Sequence, residues 1–381
     1  MGSSKAGAII VTIFVAVLII AGVVCVDYYK DNQNADNSIA VGETDKDDAD
    51  KAVTSDGDMT TVVPVLNGTD TVENTKTVVS SFAGQLKVTG TKLTDQDGNT
   101  VVLRGISSHG LSWYPQYVNE DSVRFMHDGW GMNVIRLAMY TAENGGYCVG
   151  DDENKKELIS VVERGVDAAI DNNMYVIIDW HILSDANPNT YVDQAAVFFD
   201  KMSEEYSDVP NVIYEICNEP NGATSWDDIK EYADRIIPII RSHSPEAVVI
   251  VGTPQWSQKV DDAAEAPLKY DNVMYALHFY AGTHKEWLRT TAQKAIKRGL
   301  PIFVSEFGIT DASGSQGVDV TEGGKWLDFM NENELSACMW SLSNKNEAAA
   351  IIIPDCEKTT GWTYEELKKQ GQWMLDEFMG F

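Results

Sequence analysis

The chain has 381 residues, 44% hydrophobic and 23% charged, which excludes disorder throughout and fits one large domain or two small ones. Asp and Glu outnumber Lys and Arg 58 to 29, for a formal charge of −29. Phosphate binding needs clustered Lys and Arg, so nucleic acid is excluded as a partner.

In chain order, the first feature is an uncharged run from Ala6 to Val26. Its length matches the roughly 20 apolar residues that span a bilayer as a helix. A cleavable signal has a shorter core and ends in small residues. This run ends Gly-Val-Val-Cys-Val, so residues 1–26 read as a cytoplasmic stub and an uncleaved transmembrane anchor, with a removed signal as the alternative. Either sends the rest of the chain across the membrane. The expected location is the extracellular face of the cell membrane, or the medium after cleavage. Residues 27–78 are rich in Asp, Asn, Thr and Ser and carry almost no aromatics. Such a segment cannot bury enough apolar surface to offset its chain entropy, and it reads as a disordered acidic linker.

The folded part, residues 79–381, opens with QLKVTGTKLTDQDGNTVVLRG, read as a β-hairpin turning at Asp97-Gly98-Asn99. Eight strand candidates follow: 101–109, 134–140, 175–181, 212–219, 247–254, 273–280, 301–308 and 337–343. Between them lie stretches with helical spacing, including 153–173, 191–206, 226–243 and 285–299. Apolar strands separated by helices imply a parallel sheet covered on its faces. Eight such units over about 300 residues fit a (β/α)8 TIM barrel in the α/β class. The five cysteines show no ligand spacing and no disulfide framework. Cys217 and Cys338 lie inside apolar strand runs and read as buried free thiols.

In this barrel the chemistry lies at the carboxyl ends of the strands. The first strand ends at His109, with Trp113 beyond. The second carries Arg136 and ends at Tyr140. The third ends Asp179-Trp180-His181 and the fourth Asn218-Glu219-Pro220. The sixth ends His278-Phe279-Tyr280, the seventh carries Glu306, and the eighth carries Trp340. Glu219 follows an apolar strand, and Glu306 interrupts one. A carboxylate inside a barrel is costly unless paired or functional. The fourth and seventh strands face each other across an eight-stranded ring, and facing carboxylates are what glycoside hydrolysis requires. A structural ion pair or a helix cap would explain either Glu alone. Both together, beside Asn218, His278, Tyr280 and Trp340, argue for a site. His127, His243 and His284 read as surface residues. Trp226 and Trp256 fit either the leaving-group side of a cleft or helix packing.

Seven blocks carry a further likeness: RGISSHGLSWYP (104–115), GMNVIRLAMYT (131–141), YVIIDWHIL (175–183), NVIYEICNEPNG (211–222), YALHFYAGTH (275–284), PIFVSEFGITDASGSQG (301–317) and CMWSLSNKNEAAA (338–350). In this order they resemble glycoside hydrolase family 5, and within it the bacterial endoglucanase branch. The resemblance implies a retaining endo-β-1,4-glucanase without metal or cofactor, acting on a β-glucan polysaccharide. It implies Glu219 as acid/base and Glu306 as nucleophile. Tyr280 and Arg136 would hold Glu306 ionised, and Asn218 would bond the sugar 2-hydroxyl. His181 and His278 would bond the sugar or fix the two Glu, and Trp340 would lie under the ring. His109, Trp113, Lys345 and Glu347 match positions that hold glucose units on the non-reducing side, and Tyr140 lines the same mouth. A monomer is the default expectation. The competing readings are another β-glycan such as mannan, mixed-linkage glucan or xyloglucan; a metal hydrolase, which would want more than His109 on the first strand; and a glycan-binding protein without catalysis.

Overall fold

The computed structural model describes residues 81–380 apart from residue 208. The expected anchor (1–26) and linker (27–78) lie outside the described residues. Among the described residues, no helix is long and apolar enough to cross a membrane.

A short hairpin comes first. β1 (Lys87–Thr89) pairs antiparallel with β2 (Lys92–Thr94), placing Val88 opposite Leu93. The turn falls at Gly90-Thr91, with Gly90 at φ +61°, not at Asp97-Gly98-Asn99. Residues 95–99 form a second turn. There the Asp95 carboxylate accepts the backbone N–H groups of Asp97 and Asn99, and only Thr94 and Thr100 bridge beyond it. A side-chain acceptor at the start of a turn organises it locally, whether or not a ladder follows. Leu86 and Leu93 pack with Ile213, Val248, Met274 and Phe303, so the hairpin closes the amino-terminal end of the barrel.

Eight parallel strands close that barrel in sequence order: β3 (Arg104–Ser108), β4 (Val134–Tyr140), β5 (Tyr175–His181), β6 (Val212–Glu215), β7 (Val249–Val251), β8 (Val273–Tyr280), β9 (Ile302–Gly308) and β10 (Ala337–Leu342). Nearly every strand residue is buried, as both-faced cover by helices requires. The outer layer holds α1 (Glu120–Trp130), α2 (Asp152–Asp171), α3 (Val192–Glu205), α4 (Trp226–His243), α5 (Val260–Glu265), α6 (Glu286–Lys297), α7 (Val320–Glu332) and α8 (Lys369–Trp373). Local chemistry sets their starts. Asn119 and Ser122 form a reciprocal cap on α1, and Ser225 and Asp228 do so on α4. Gly131, in the left-handed region, ends α1.

The expected strands at 134–140, 175–181 and 273–280 are observed with those bounds. Two others stop short. β6 ends at Glu215 rather than 219, and β7 spans only Val249–Val251. Beyond both, residues 216–220 and 252–258 bond to each other instead of extending the ladder. Gly252 permits the approach: a Cβ there would lie 2.2 Å from the Cys217 carbonyl oxygen.

Candidate active site

Arg136 on β4 organises the upper barrel interior. It is fully buried. Its Nε donates to Glu215 Oε2 at 2.7 Å and its Nη1 to Glu306 Oε2 at 3.1 Å, and Nη2 lies 3.0 Å from Asp179 Oδ2. Burial opposes its charge, but the three carboxylates outweigh that and hold its pKa well above the ordinary value. Three carboxyl groups around one cation cannot all ionise cheaply in a dry interior. They divide the work. Burial also opposes ionisation of Glu215, yet Arg136 and His278 outweigh it and hold Glu215 at about 2. Asp179 goes the other way. Burial pushes it well up, Arg136 offsets only part, and Glu215 and Glu306 repel its charge.

Arg136 also fixes hydrogen positions at a distance. Its Nη2 donates to Asn218 Oδ1 at 2.6 Å, so Asn218 Nδ2 must face His181 Nε2 at 3.2 Å and the Ile182 carbonyl at 3.1 Å. His181 Nε2 therefore accepts, and Nδ1–H donates to Asp179 Oδ2 at 2.6 Å. Burial, then Arg136, depresses His181 to about 3, so its ring stays neutral. Both Asn218 amide protons are engaged, and Oδ1 keeps a second lone pair with which it can accept from a sugar hydroxyl.

Glu306 on β9 has both oxygens bonded. Tyr280 Oη donates to Oε1 at 2.8 Å, and Arg136 holds Oε2. Burial and the charges of Glu306 and Glu219 push the Tyr280 hydroxyl well up, so it remains a donor. Glu219 meets His278 instead, with Oε1 3.0 Å from Nδ1. On the far side of that ring, Nε2 lies 2.9 Å from Ser305 Oγ, and Ser305 donates to Glu215 Oε1 at 2.6 Å. Ser305 has one proton and gives it to a carboxylate, so His278 Nε2 must be protonated. Nδ1 is then the atom that can exchange a proton with Glu219. Burial opposes an imidazolium at His278, but the bonds toward Glu215 and Glu219 outweigh it and raise the ring to about 9.

These groups floor a cavity of about 530 Å³. Rings from β10, β4 and β5 line one side: His181 lies 5.4 Å from Trp340 and 4.1 Å from Tyr140, and Tyr140 lies 4.7 Å from Trp113 in the loop after β3. Beside them, Lys345 pairs with Glu347 at 2.7 Å and reaches His109 Nε2 at 3.4 Å. Burial, then Lys345, lowers His109 to about 3. All thirteen expected site residues thus fall in one connected cluster at the carboxyl end of the barrel.

The remaining expectations divide. Trp256 is 46% exposed and lines the cavity. Trp226 is buried, with its Nε1–H on the Ala266 carbonyl and its ring against Tyr275, so it packs a helix. His127 and His243 lie at the surface as expected. His284 does not: it is buried, lines the cavity, and accepts the Tyr280 N–H on Nδ1 at 2.9 Å. The loop after β8 folds back over its own strand end, which no local pattern signals. Cys217 and Cys338 are buried free thiols. Asp179, Glu215 and Ser305 were missed as functional support. Asp179 and Glu215 interrupt apolar strands just as Glu306 does, and the same burial argument would have found them.

Glu219, His278 and Glu306 are the only group among the described residues whose ligand-type atoms gather as a metal site would, all within 4.8 Å. The Arg136 guanidinium already bonded to Glu306 sets a fixed positive charge against a cation there.

Residues 94–346 match the family profile Cellulase (glycosyl hydrolase family 5). The chain belongs to glycoside hydrolase family 5. It is therefore a glycoside hydrolase. Among family relatives, it is 46% identical over 297 residues to endoglucanase A of Butyrivibrio fibrisolvens, covering 78% of this chain and 69% of that one. It is 51% identical over 305 residues to an endoglucanase of Clostridium saccharobutylicum, covering 80% and 67%. Its fold is similar to the catalytic domain of a Thermobifida fusca endoglucanase in complex with cellotetraose: TM-score 0.74 and 33% identity, covering 78% of this chain and 98% of that one.

Proposed function

We propose that the chain is a retaining endo-β-1,4-glucanase that cuts cellulose-type glucans by double displacement. The observation that carries the mechanism is the separation of the two carboxylates. Oxygens of Glu219 and Glu306 lie within 4.8 Å of each other. Retaining enzymes hold their pair about 5–5.5 Å apart, whereas inverting ones leave about 6.5–9.5 Å for a water. Glu306, an acceptor on both oxygens, attacks the anomeric carbon. Glu219 gives its proton to the leaving glycosidic oxygen, then takes one from the water that releases the glycosyl-enzyme. That second transfer leaves Glu219 protonated again, and His278 Nδ1, 3.0 Å from its Oε1, orients the carboxyl. The relatives' names and the neighbour's cellotetraose support β-1,4-glucan as substrate. Glucose units on the non-reducing side would lie over Trp340 and Tyr140, held by His109, Lys345 and Glu347. The leaving chain would pass the β6–β8 side, where Trp256 is exposed.

The uncharged run at residues 6–26 supports delivery of the catalytic domain across a membrane, anchored or released. The test of the function is direct. The protein, beside its Glu306→Gln variant, is incubated with carboxymethylcellulose and β-mannan. New reducing ends from the cellulose derivative alone, absent in the variant, are expected. Proton NMR should show the β anomer of the product first. An α anomer first would overturn retention, and cleavage of mannan only would overturn the substrate.

A further inference from the structure

Ladder pairing stops short of Glu219: the last backbone bond to a neighbouring strand is the Asn218 N–H on the Trp180 carbonyl of β5 at 3.2 Å. β6 makes its last ladder pair at Glu215, opposite Ile250, and residues 216–220 continue as irregular backbone. The carbonyls on either side of Glu219 are instead held by two consecutive residues of another loop. Ser257 Oγ donates to the Asn218 carbonyl at 2.6 Å, and the Trp256 N–H donates to the Pro220 carbonyl at 3.0 Å. Ser257 is fully buried, and its Oγ in turn accepts the Thr253 N–H at 3.2 Å.

The loop adopts a costly conformation to do this. Gln255, Trp256 and Ser257 have φ of +55°, +56° and +54°. Three successive non-glycine residues in the left-handed region are disfavoured by Cβ contacts and persist only where the surroundings over-determine them. The same turn presents the Trp256 ring to the cavity that Glu219 lines. One strained element therefore touches both the space for the leaving group and the backbone of the group that would protonate it.

We propose that Ser257 is a positioning residue for Glu219: its hydroxyl fastens the left-handed turn at 255–257 to the Asn218 carbonyl and sets where the acid stands over the leaving oxygen. The inference rests on the reading of Glu219 as the acid. Its signature is dependence on the leaving group, because a sugar alkoxide needs a well-placed proton and a dinitrophenolate does not.

The experiment compares kcat/KM on cellotetraose and on 2,4-dinitrophenyl β-cellobioside for the full chain, Ser257→Ala and Glu219→Ala. For Ser257→Ala we expect a fall of about 10²-fold on cellotetraose, the scale of a misplacement near 1 Å, with the aryl substrate within about twofold of the parent. Equal losses on both substrates, or no loss on either, would overturn the proposal. If Ser257→Ala does not fold, Ser257→Gly, which removes the hydroxyl where left-handed backbone costs glycine little, carries the same comparison. Glu219→Ala separates the two ideas. If it spares the aryl substrate and Ser257→Ala does not, the positioning role fails alone. If Glu219→Ala loses both substrates alike, the acid assignment fails and takes the proposal with it.

Discussion

Glu306 lies inside a paired strand, with His278 of β8 as its register partner and two side-chain donors on its carboxylate. Glu219 lies beyond the end of β6, on backbone held by a turn from the next loop. The two carboxylates meet within 4.8 Å but depend on different supports. In the proposed mechanism the nucleophile must stay still, and a sheet position with Arg136 and Tyr280 donating to its two oxygens supplies that. The acid must give a proton to the leaving oxygen and take one from water in each turnover, and it stands on loop backbone with His278 of β8 against its Oε1. The difference also separates what disturbs each: ladder and charge for Glu306, loop geometry for Glu219.

Glu306→Gln should have the largest effect. It keeps the volume but removes the nucleophile, and activity on every substrate should fall on the order of 10⁴-fold or more, as for other single catalytic groups. Steady-state assays on both polymer and aryl glycoside check this, and an unequal loss would break the contrast with Glu219. Next, Glu219→Ala should cost about 10²–10⁴-fold in kcat/KM on polymer while largely sparing kcat/KM, though not kcat, on a dinitrophenyl glycoside, since release of the glycosyl-enzyme still needs the base.

Glu215→Gln addresses the shared foundation. It removes the fully buried carboxylate that Arg136 and His278 share, leaving Arg136 to Glu306 and Asp179 and His278 to Glu219, and urea unfolding should show a loss of about 3–5 kcal/mol. A pH dependence accompanies it. His278 stands at about 9 in the folded chain against an ordinary 6.5, so its stabilising contribution is complete below about pH 6.5 and is lost as pH rises through about 9. Glu215, at about 2 against an ordinary 4.5, contributes fully above about pH 4.5 and loses that as pH falls through about 2. The thermal midpoint should decline from pH 6.5 to 9, and less steeply in Glu215→Gln; parallel slopes would remove His278 from the account.

The smallest effect sharpens the cleft's far end. Trp113, 39% exposed against Tyr140, should on change to Ala raise KM for longer cello-oligosaccharides with little change in kcat. Lost stacking of about 0.5–1.5 kcal/mol sets the scale.

Much of this is legible in the residue pattern alone. The apolar runs fixed β4, β5 and β8 to the residue, because strands buried on both faces carry their own signature. Glu219 and Glu306 stood out because a carboxylate after or within such a run needs a reason. The early ends of β6 and β7 were not legible, since the bonds that replace the ladder join loops far apart in sequence. Gly252 was the one local trace of that approach. Asp179 and Glu215 were open to the same burial argument as Glu306, but their shared partner was not: Arg136 lies on another strand, and only barrel closure shows that one guanidinium serves three carboxyls. His284 looked peripheral because nothing local shows the loop after β8 folding back.

In the proposed mechanism Glu306 bonds covalently to the sugar. A 2-deoxy-2-fluoro-β-cellobioside with a dinitrophenyl leaving group forms that intermediate quickly and releases it slowly. After inactivation and proteolysis, peptide mass spectrometry should find one fluorocellobiosyl group, on Glu306. A label on Glu219 or Glu215, or continued turnover with no label at all, would contradict the account.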